Sequence, residues 1–338
     1  LRDENGKVVK DEAGNKLRTT GACKGVKGIG WFIEEYGVAQ VSMNITNIKD
    51  SPLHIVFDEC CKSATNHGMR VTGSELVGLV PLQVMIDAGK YFLAKQERSL
   101  GVSEDEIIKI AIKSMGLDEL SPFDPQKRVI EYMLAAEDQR PLVNMTLEAF
   151  ATETASESMA PGGGSIAAYV GTLGISLASM VANLSAAKKG WETRWEEFSQ
   201  WAEKAQAIKK QLLDMVDEDT NSFNGIINAM RLPKASDAQK AARLEAIQEA
   251  TKYAVLVPVK VMELSLAAME IAKAMAIDGN PNSVTDAAVG ALCARTAVRG
   301  AHLNALINMN DLEDQDFILS ITKKAALIET EAEALEVE

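Results

Sequence analysis

Three groups of residues in this sequence have types and spacings suited to chemistry. The first is Ala160-Pro161-Gly162-Gly163-Gly164-Ser165, directly ahead of an apolar helical stretch. Glycines free the backbone to approach a ligand, and the helix that follows presents unpaired N–H groups and the positive end of its dipole. That suits a carboxylate or the edge of an electron-rich heterocycle, although a glycine run before a helix also serves as a plain tight turn. No GK[ST] follows, so it is not a phosphate-binding P-loop. The second is Met215-Val216-Asp217-Glu218-Asp219. On a helix, Leu213, Val216, Thr220, Phe223, Ile227 and Met230 fall on one apolar stripe at three- and four-residue steps, with Asp217 at its inner edge and Asp214 and Asp219 pointing outward. A carboxyl against apolar neighbours has its charged form disfavoured, which moves its pKa toward values useful for proton transfer. A solvated acidic turn has the same composition. The third group is Asn280, Ser283 and Asp286 around one turn, followed by Asn304 and Asn308 one helical turn apart. Amides at i and i+4 can grip a ligand's hydrogen-bonding edge or brace neighbouring helices. Lys188-Lys189 is a local basic pair that an anionic ligand would need, or a solvated helix end.

The elements that must position these residues divide the chain in two. Its 338 residues are 47% hydrophobic and only 5% aromatic, enough apolar material for real cores and a composition that favours helices. The formal charge of −13 argues against a duplex nucleic-acid partner, which needs dense cationic surface. Four cysteines without a CxxC pair and three scattered histidines (His54, His67, His302) give no metal-ligand spacing, so a reducing compartment and no metal are expected. The N-terminus is charged (Asp3, Glu4, Lys7) and lacks a signal-peptide core, and a cytoplasmic location is expected. Ser165 to Ala187 carries no charge and is long enough to span a bilayer. It also holds Ser165, Thr172, Ser176, Ser179, Asn183 and Ser185. Each Leu-type residue gains only ~0.3–0.6 kcal/mol on insertion, so these polar groups leave insertion marginal, and no transmembrane segment is expected.

In the first 135 residues strand and helix signals alternate. Val38–Ile45 and the Val-rich, Gly-punctuated Arg70–Val80 read as strands, and 54–67, 82–96 and 103–115 as helices, with Ser103 and Glu106 spaced as a capping box. After about Leu142 the pattern becomes 3.6-periodic at 145–157, 165–189, 192–229, 236–277, 284–308 and 311–336, with Pro258 expected to kink or divide the fourth stretch. Long helices joined by short breakers predict an antiparallel bundle. The expected division is 1–135, a linker at 136–142, and a bundle at 143–338.

Taken together, the motifs resemble one family. From APGGGS (160–165), Lys188-Lys189, Val216, Asp217, Asp219 and Phe223, LPK (232–234), Gly279, Asn280 and Asp286 to Asn304, Ile307 and Asn308, the second half is similar to the cyclodeaminase domain of formimidoyltransferase-cyclodeaminase, a bifunctional folate enzyme of histidine breakdown. GIGW (28–31), the AQVS run with Asn44, the 73–82 stretch and PFDP with Arg128 and Ile130-Glu131-Tyr132 make the first half resemble the C-terminal subdomain of the family's transferase part. The resemblance implies a multidomain fold, an α+β, ferredoxin-like subdomain followed by an all-α antiparallel bundle. It also implies a reaction: 5-formimidoyltetrahydrofolate closes to 5,10-methenyltetrahydrofolate and releases ammonia. No bound cofactor is implied, and the tetrahydrofolate derivative is the substrate. The family's catalytic aspartate falls on Asp217. Gly162, Gly163, Gly164, Ser165, Asn280, Asp286, Asn304 and Asn308 are then candidates for the pterin, and Lys188 and Lys189 for the glutamate tail, polyglutamylated or not. Lys24, Lys27, Gly28 and Gly30 are candidates for a transferase-side folate cleft. The family's transferase histidine lies in a subdomain ahead of Leu1, so a truncated or split product without transferase activity is expected. Dimers or ring-shaped octamers are implied. The alternatives are a methenyltetrahydrofolate cyclohydrolase and a non-catalytic oligomerisation module.

Overall fold

A computed structural model describes residues 3–17, 21–134 and 140–337. Residues 136–139 of the expected linker lie outside the described residues. Two compact units emerge, one of residues 1–92 and 107–134, the other of 93–106 and 135–338.

In the first unit, β1 (Val26–Ile33) and β2 (Val38–Ile45) form an antiparallel hairpin from Val26↔Ile45 to Ile33↔Val38. β2 has the predicted bounds, and β1 carries no strand signal in the sequence because Gly28 and Gly30 dilute its β-branched residues. α1 (Leu53–Asn66), α2 (Leu82–Lys95) and α3 (Glu104–Met115) follow within a residue or two of their expected limits. Ser103 Oγ accepts the Glu106 N–H at 3.3 Å, as the capping spacing predicts. The expected strand over Arg70–Val80 is corrected. Residues 71–77 have no regular structure, and only Val80 pairs, in a single parallel bridge to Val129. Gly78, at φ +88°, and Pro81 interrupt the extended run. Val80, Met85, Ala88, Ile108, Ile112, Met115 and Val129 make this unit's core, closed by short helices α4 (Pro125–Arg128) and α5 (Ile130–Leu134).

The second unit is helical: α6 (Leu147–Thr154), α7 (Gly163–Ala186), α8 (Trp195–Met230), α9 (Asp237–Asp278), α10 (Val284–Met309) and α11 (Gln315–Val337). α7 packs on α8, α9 and α10, and α11 lies on α9 and α10. Sequential neighbours run antiparallel: Ser165 meets Asp219 and Ser179 meets Gln206 across α7 and α8. Segment 93–106 belongs here too. Leu100 N–H donates to Ser199 Oγ at 2.8 Å, and the Gly101 carbonyl accepts from Asn183 and Gln206.

α7 is the one helix among the described residues long and apolar enough to cross a bilayer, and 61% of its most apolar window is buried within the bundle. Its small residues explain the composition. A Cβ at Gly174 would lie 2.7 Å from the Gly290 carbonyl oxygen of α10, so the two backbones touch there. α11 is held by a charge cluster. The buried Arg295 guanidinium donates to Glu329 (3.0 Å), Glu333 (3.1 Å) and Glu336 (3.1 Å), three carboxylates on one face of α11. A charge this buried requires such pairing.

Pro258 does not divide α9, which runs unbroken from Asp237 to Asp278. Proline lacks the N–H that would bond the carbonyl four residues back, that of Ala254. Asn308 Nδ2 of α10 donates to that carbonyl at 2.8 Å. The asparagine replaces the missing ladder donor, which is why the helix continues.

Two predictions follow from this packing. Asn308→Ala should cost about 1–3 kcal/mol in denaturant unfolding, because a buried carbonyl loses its partner. In a Pro258→Ala background, where the ladder donor is restored, the cost should shrink markedly; equal costs in both backgrounds would refute the pairing. In the first unit, His54 is 8% exposed, its ring lies 4.5 Å from that of Tyr91, and its Nδ1 has no hydrogen-bond partner. Burial lowers its pKa, against the opposing charges of Asp87 and Asp58. The unfolded chain then takes up a proton that the folded one refuses. The unit should therefore lose stability as pH falls through about 6.5, and His54→Phe should remove that part of the acid sensitivity in melts at about pH 7.5 and 5.5.

Candidate functional site

The glycine turn and the acidic segment meet. Gly162 caps α7 without a side chain, and Asp219 of α8 supplies what is missing. Its Oδ2 accepts the Ser165 N–H at 2.9 Å and lies 3.2 Å from Ser165 Oγ, which donates to it. A Cβ at Gly164 would sit 2.0 Å from Asp219 Oδ1, so only glycine admits this carboxyl. Burial raises the Asp219 pKa, and the two Ser165 hydrogen bonds pull the other way without cancelling it. From α10, the Asn304 amide rests against Gly163, where a Cβ would be 3.3 Å from Nδ2, and that Nδ2 also donates to the Gly300 carbonyl.

The expectation that Asp219 points outward is corrected, and the reason is one of phase. The buried positions of α8 include Leu212, Val216, Ser222 and Ala229, while Phe223 and Met230 are exposed. The stripe therefore runs one residue N-terminal to the expected one at most positions. One residue is 100° of rotation, which carries Asp219 from the flank to α7. A register set on Leu212 and Ala229 would have revealed it.

Asp217 is 3% exposed, and both oxygens are engaged: Oδ1 accepts the Leu142 N–H at 2.9 Å and Oδ2 the Val143 N–H at 3.1 Å. Asp214 pairs with Arg140 at 3.3 Å, and Glu218 accepts the Tyr253 hydroxyl at 2.6 Å. The acidic residues of this stretch thus each face different partners.

The remaining candidates separate. Gly162, Gly163, Gly164, Ser165 and Asn304 gather at the start of α7. Asn308 is at the same end, spent on the Ala254 carbonyl. Lys188, Lys189, Asn280 and Asp286 lie at the other end: the Asn280 N–H donates to Ser185 Oγ at 2.8 Å, and Asp286 sits in the first turn of α10. α7 has 24 residues, so about 35 Å separates the two groups. Lys188 Nζ lies 3.9 Å from the Trp191 ring centre. The single site expected within one chain is therefore corrected to two clusters at opposite ends of a helix. In the first unit, Lys24 pairs with Asp50 at 3.6 Å, and Lys27, Gly28 and Gly30 are exposed along β1. Among the described residues, no group of three His, Cys, Asp or Glu side chains is arranged to hold a metal.

Comparison with known proteins places these observations. A model of the formiminotransferase-cyclodeaminase family matches residues 146–327, and one of the formiminotransferase domain matches residues 5–135. The formimidoyltransferase-cyclodeaminase of Gallus gallus is 37% identical over 311 residues, 90% of this chain and 57% of that protein. The chain thus spans little more than half the length of such relatives. A methenyltetrahydrofolate cyclohydrolase of Methylorubrum extorquens is 36% identical over 192 residues, 57% of this chain and 92% of its own. The crystal structure of a formiminotetrahydrofolate cyclodeaminase from Thermotoga maritima superposes with a TM-score of 0.51 at 25% identity, covering 57% of this chain and 92% of that one. The chain belongs to the formiminotransferase-cyclodeaminase family.

Proposed function

We propose that the helical unit is a formimidoyltetrahydrofolate cyclodeaminase in which Asp219 is the proton donor. The observation that carries this reading is the Asp219 carboxyl, half-buried against Gly164 at the start of α7 with its pKa raised. N10 of the folate attacks the formimidoyl carbon, and a tetrahedral adduct forms. The adduct's amino group must be protonated before it can leave as ammonia, and N10 must give up its proton. A carboxyl whose pKa is raised by burial performs the first transfer, and its carboxylate can accept the second. Closure is intramolecular, so holding the two nitrogens in register supplies much of the acceleration.

Gly162–Ser165 and Asn304 are the residues of this chain best placed beside the pterin. Lys188, Lys189, Asn280 and Asp286, at the far end of α7, fit a glutamate-tail role only if a second copy packs alongside with its helices reversed. Exposed Leu173 and Leu184 on α7 and Leu292 and Leu303 on α10 favour such self-association, as a dimer or within a ring octamer. A ferredoxin-like first unit and a cytoplasmic location complete the reading.

The relative from Methylorubrum favours a second reading, hydrolysis of the methenyl compound on the same bundle. One spectroscopic assay separates them. With 5-formimidoyltetrahydrofolate, methenyl absorbance should grow with release of ammonia; decay of added methenyltetrahydrofolate without that activity would favour the hydrolase. Asp219→Asn, which can still accept the Ser165 N–H, should lower turnover by about 10²–10⁴-fold with little change in KM. A variant retaining normal turnover would remove Asp219 from the chemistry.

A further inference from the structure

The two oxygens of the Asp219 carboxyl have different surroundings. Oδ2 accepts both the Ser165 N–H, at 2.9 Å, and the Ser165 hydroxyl, at 3.2 Å. Oδ1 accepts no hydrogen bond from the described residues, yet it is not sealed from solvent. It occupies the space that a side chain at Gly164 would fill. An amide N–H only donates, so a proton placed on Oδ2 would meet the Ser165 N–H head-on. A proton on Oδ1 meets no such donor. Ser165 itself is fully buried, so its hydroxyl acts through Asp219 and touches no reacting atom.

Charges on the neighbouring elements are engaged elsewhere. Tyr169 is the one titratable side chain on α7. On α8, Asp214 pairs with Arg140, Asp217 accepts two backbone N–H groups, and Glu218 accepts the Tyr253 hydroxyl of α9. On α10, Arg299 and His302 lie 3.9 and 3.4 Å from Glu329 of α11, and Asn304, beside Gly163, is uncharged. The hydrogen bonds that favour ionised Asp219 against its burial both come from Ser165.

We propose that the Ser165 hydroxyl is a positioning residue for the reaction: by holding Oδ2 it fixes the plane of the carboxyl and leaves the transferable proton on Oδ1, the open oxygen beside Gly164. The proposal rests on the cyclodeaminase reading above. The proton passes from Oδ1 to the amino nitrogen of the adduct, and the carbon–nitrogen bond breaks with its electron pair leaving on ammonia. Oδ1, now ionised, accepts the proton of N10, whose lone pair completes the bonding at the carbon.

The test compares wild type with Ser165→Ala, which keeps the N–H and removes the hydroxyl. Two quantities are measured: the Asp219 titration midpoint by carbon-13 NMR, and the pH profile of kcat with 5-formimidoyltetrahydrofolate. Losing a donor to the ionised form should raise the midpoint by about one pH unit. The limb on which kcat falls as pH rises past that midpoint should move up by the same amount. Freed to rotate, the carboxyl should also lower the maximal kcat about tenfold, with KM within about threefold. An unmoved midpoint would overturn the role of Ser165 and leave Asp219 as the donor. A midpoint that rises while the kcat limb stays in place would overturn Asp219 as the donor, and the role of Ser165 with it. Should Ser165→Ala fail to fold by circular dichroism, the same two readouts in Ser165→Cys decide, because a thiol is a weaker donor and should give a smaller rise in the same direction.

Discussion

Close approach of helix backbones at glycine is the constraint on which the second unit depends. At Gly174 and Gly290 it brings α7 and α10 together with no side chain between them, and at Gly164 it admits a carboxyl into the first turn of α7. A helix without an N-terminal cap leaves N–H groups unpaired, and burying a carboxyl without donors is costly. Placing Asp219 at that helix start meets part of both demands. The carboxyl gains two donors from Ser165, yet burial still disfavours its charge. Neither feature has that property alone. A glycine turn is otherwise only a turn, and an acidic helix segment only a solvated face.

The neighbouring polar residues divide the work of holding this arrangement. Asn308 completes the Ala254 carbonyl that Pro258 leaves open, so α9 stays continuous beside the site. Asp217 anchors the turn ahead of α6. Arg295 gathers three glutamates and seats α11 on α10. Each satisfies a group that would otherwise be buried without a partner. Polar residues in this bundle therefore read first as answers to the backbone's hydrogen-bonding needs.

Much of this was legible in the sequence. β2 and the bundle helices lie close to their expected limits because apolar periodicity and breakers such as Leu232-Pro233 and Gly279-Asn280-Pro281 act locally. The Gly162–Ser165 turn is legible as a glycine run directly ahead of an apolar helical stretch. What failed depended on partners far away in the chain. The phase of α8 is set by what packs on Leu212 and Ala229, and a one-residue slip placed Asp219 on the wrong side. Pro258 kept its helix because of Asn308, fifty residues on. Lys188 and Asn280 were grouped with the glycine turn by resemblance, and only the length of α7 shows them to be remote within one chain.

The central claim is that Asp219 keeps its proton to a higher pH than an ordinary aspartate, because burial at the start of α7 outweighs its two hydrogen bonds. Carbon-13 NMR of selectively labelled aspartate side chains, with the Asp219 resonance assigned by its loss in Asp219→Asn, measures this directly. The account predicts a titration midpoint clearly above the reference value of about 3.9. A midpoint at or below that value would mean the carboxyl is simply a helix cap, and the proton donor would have to be sought elsewhere.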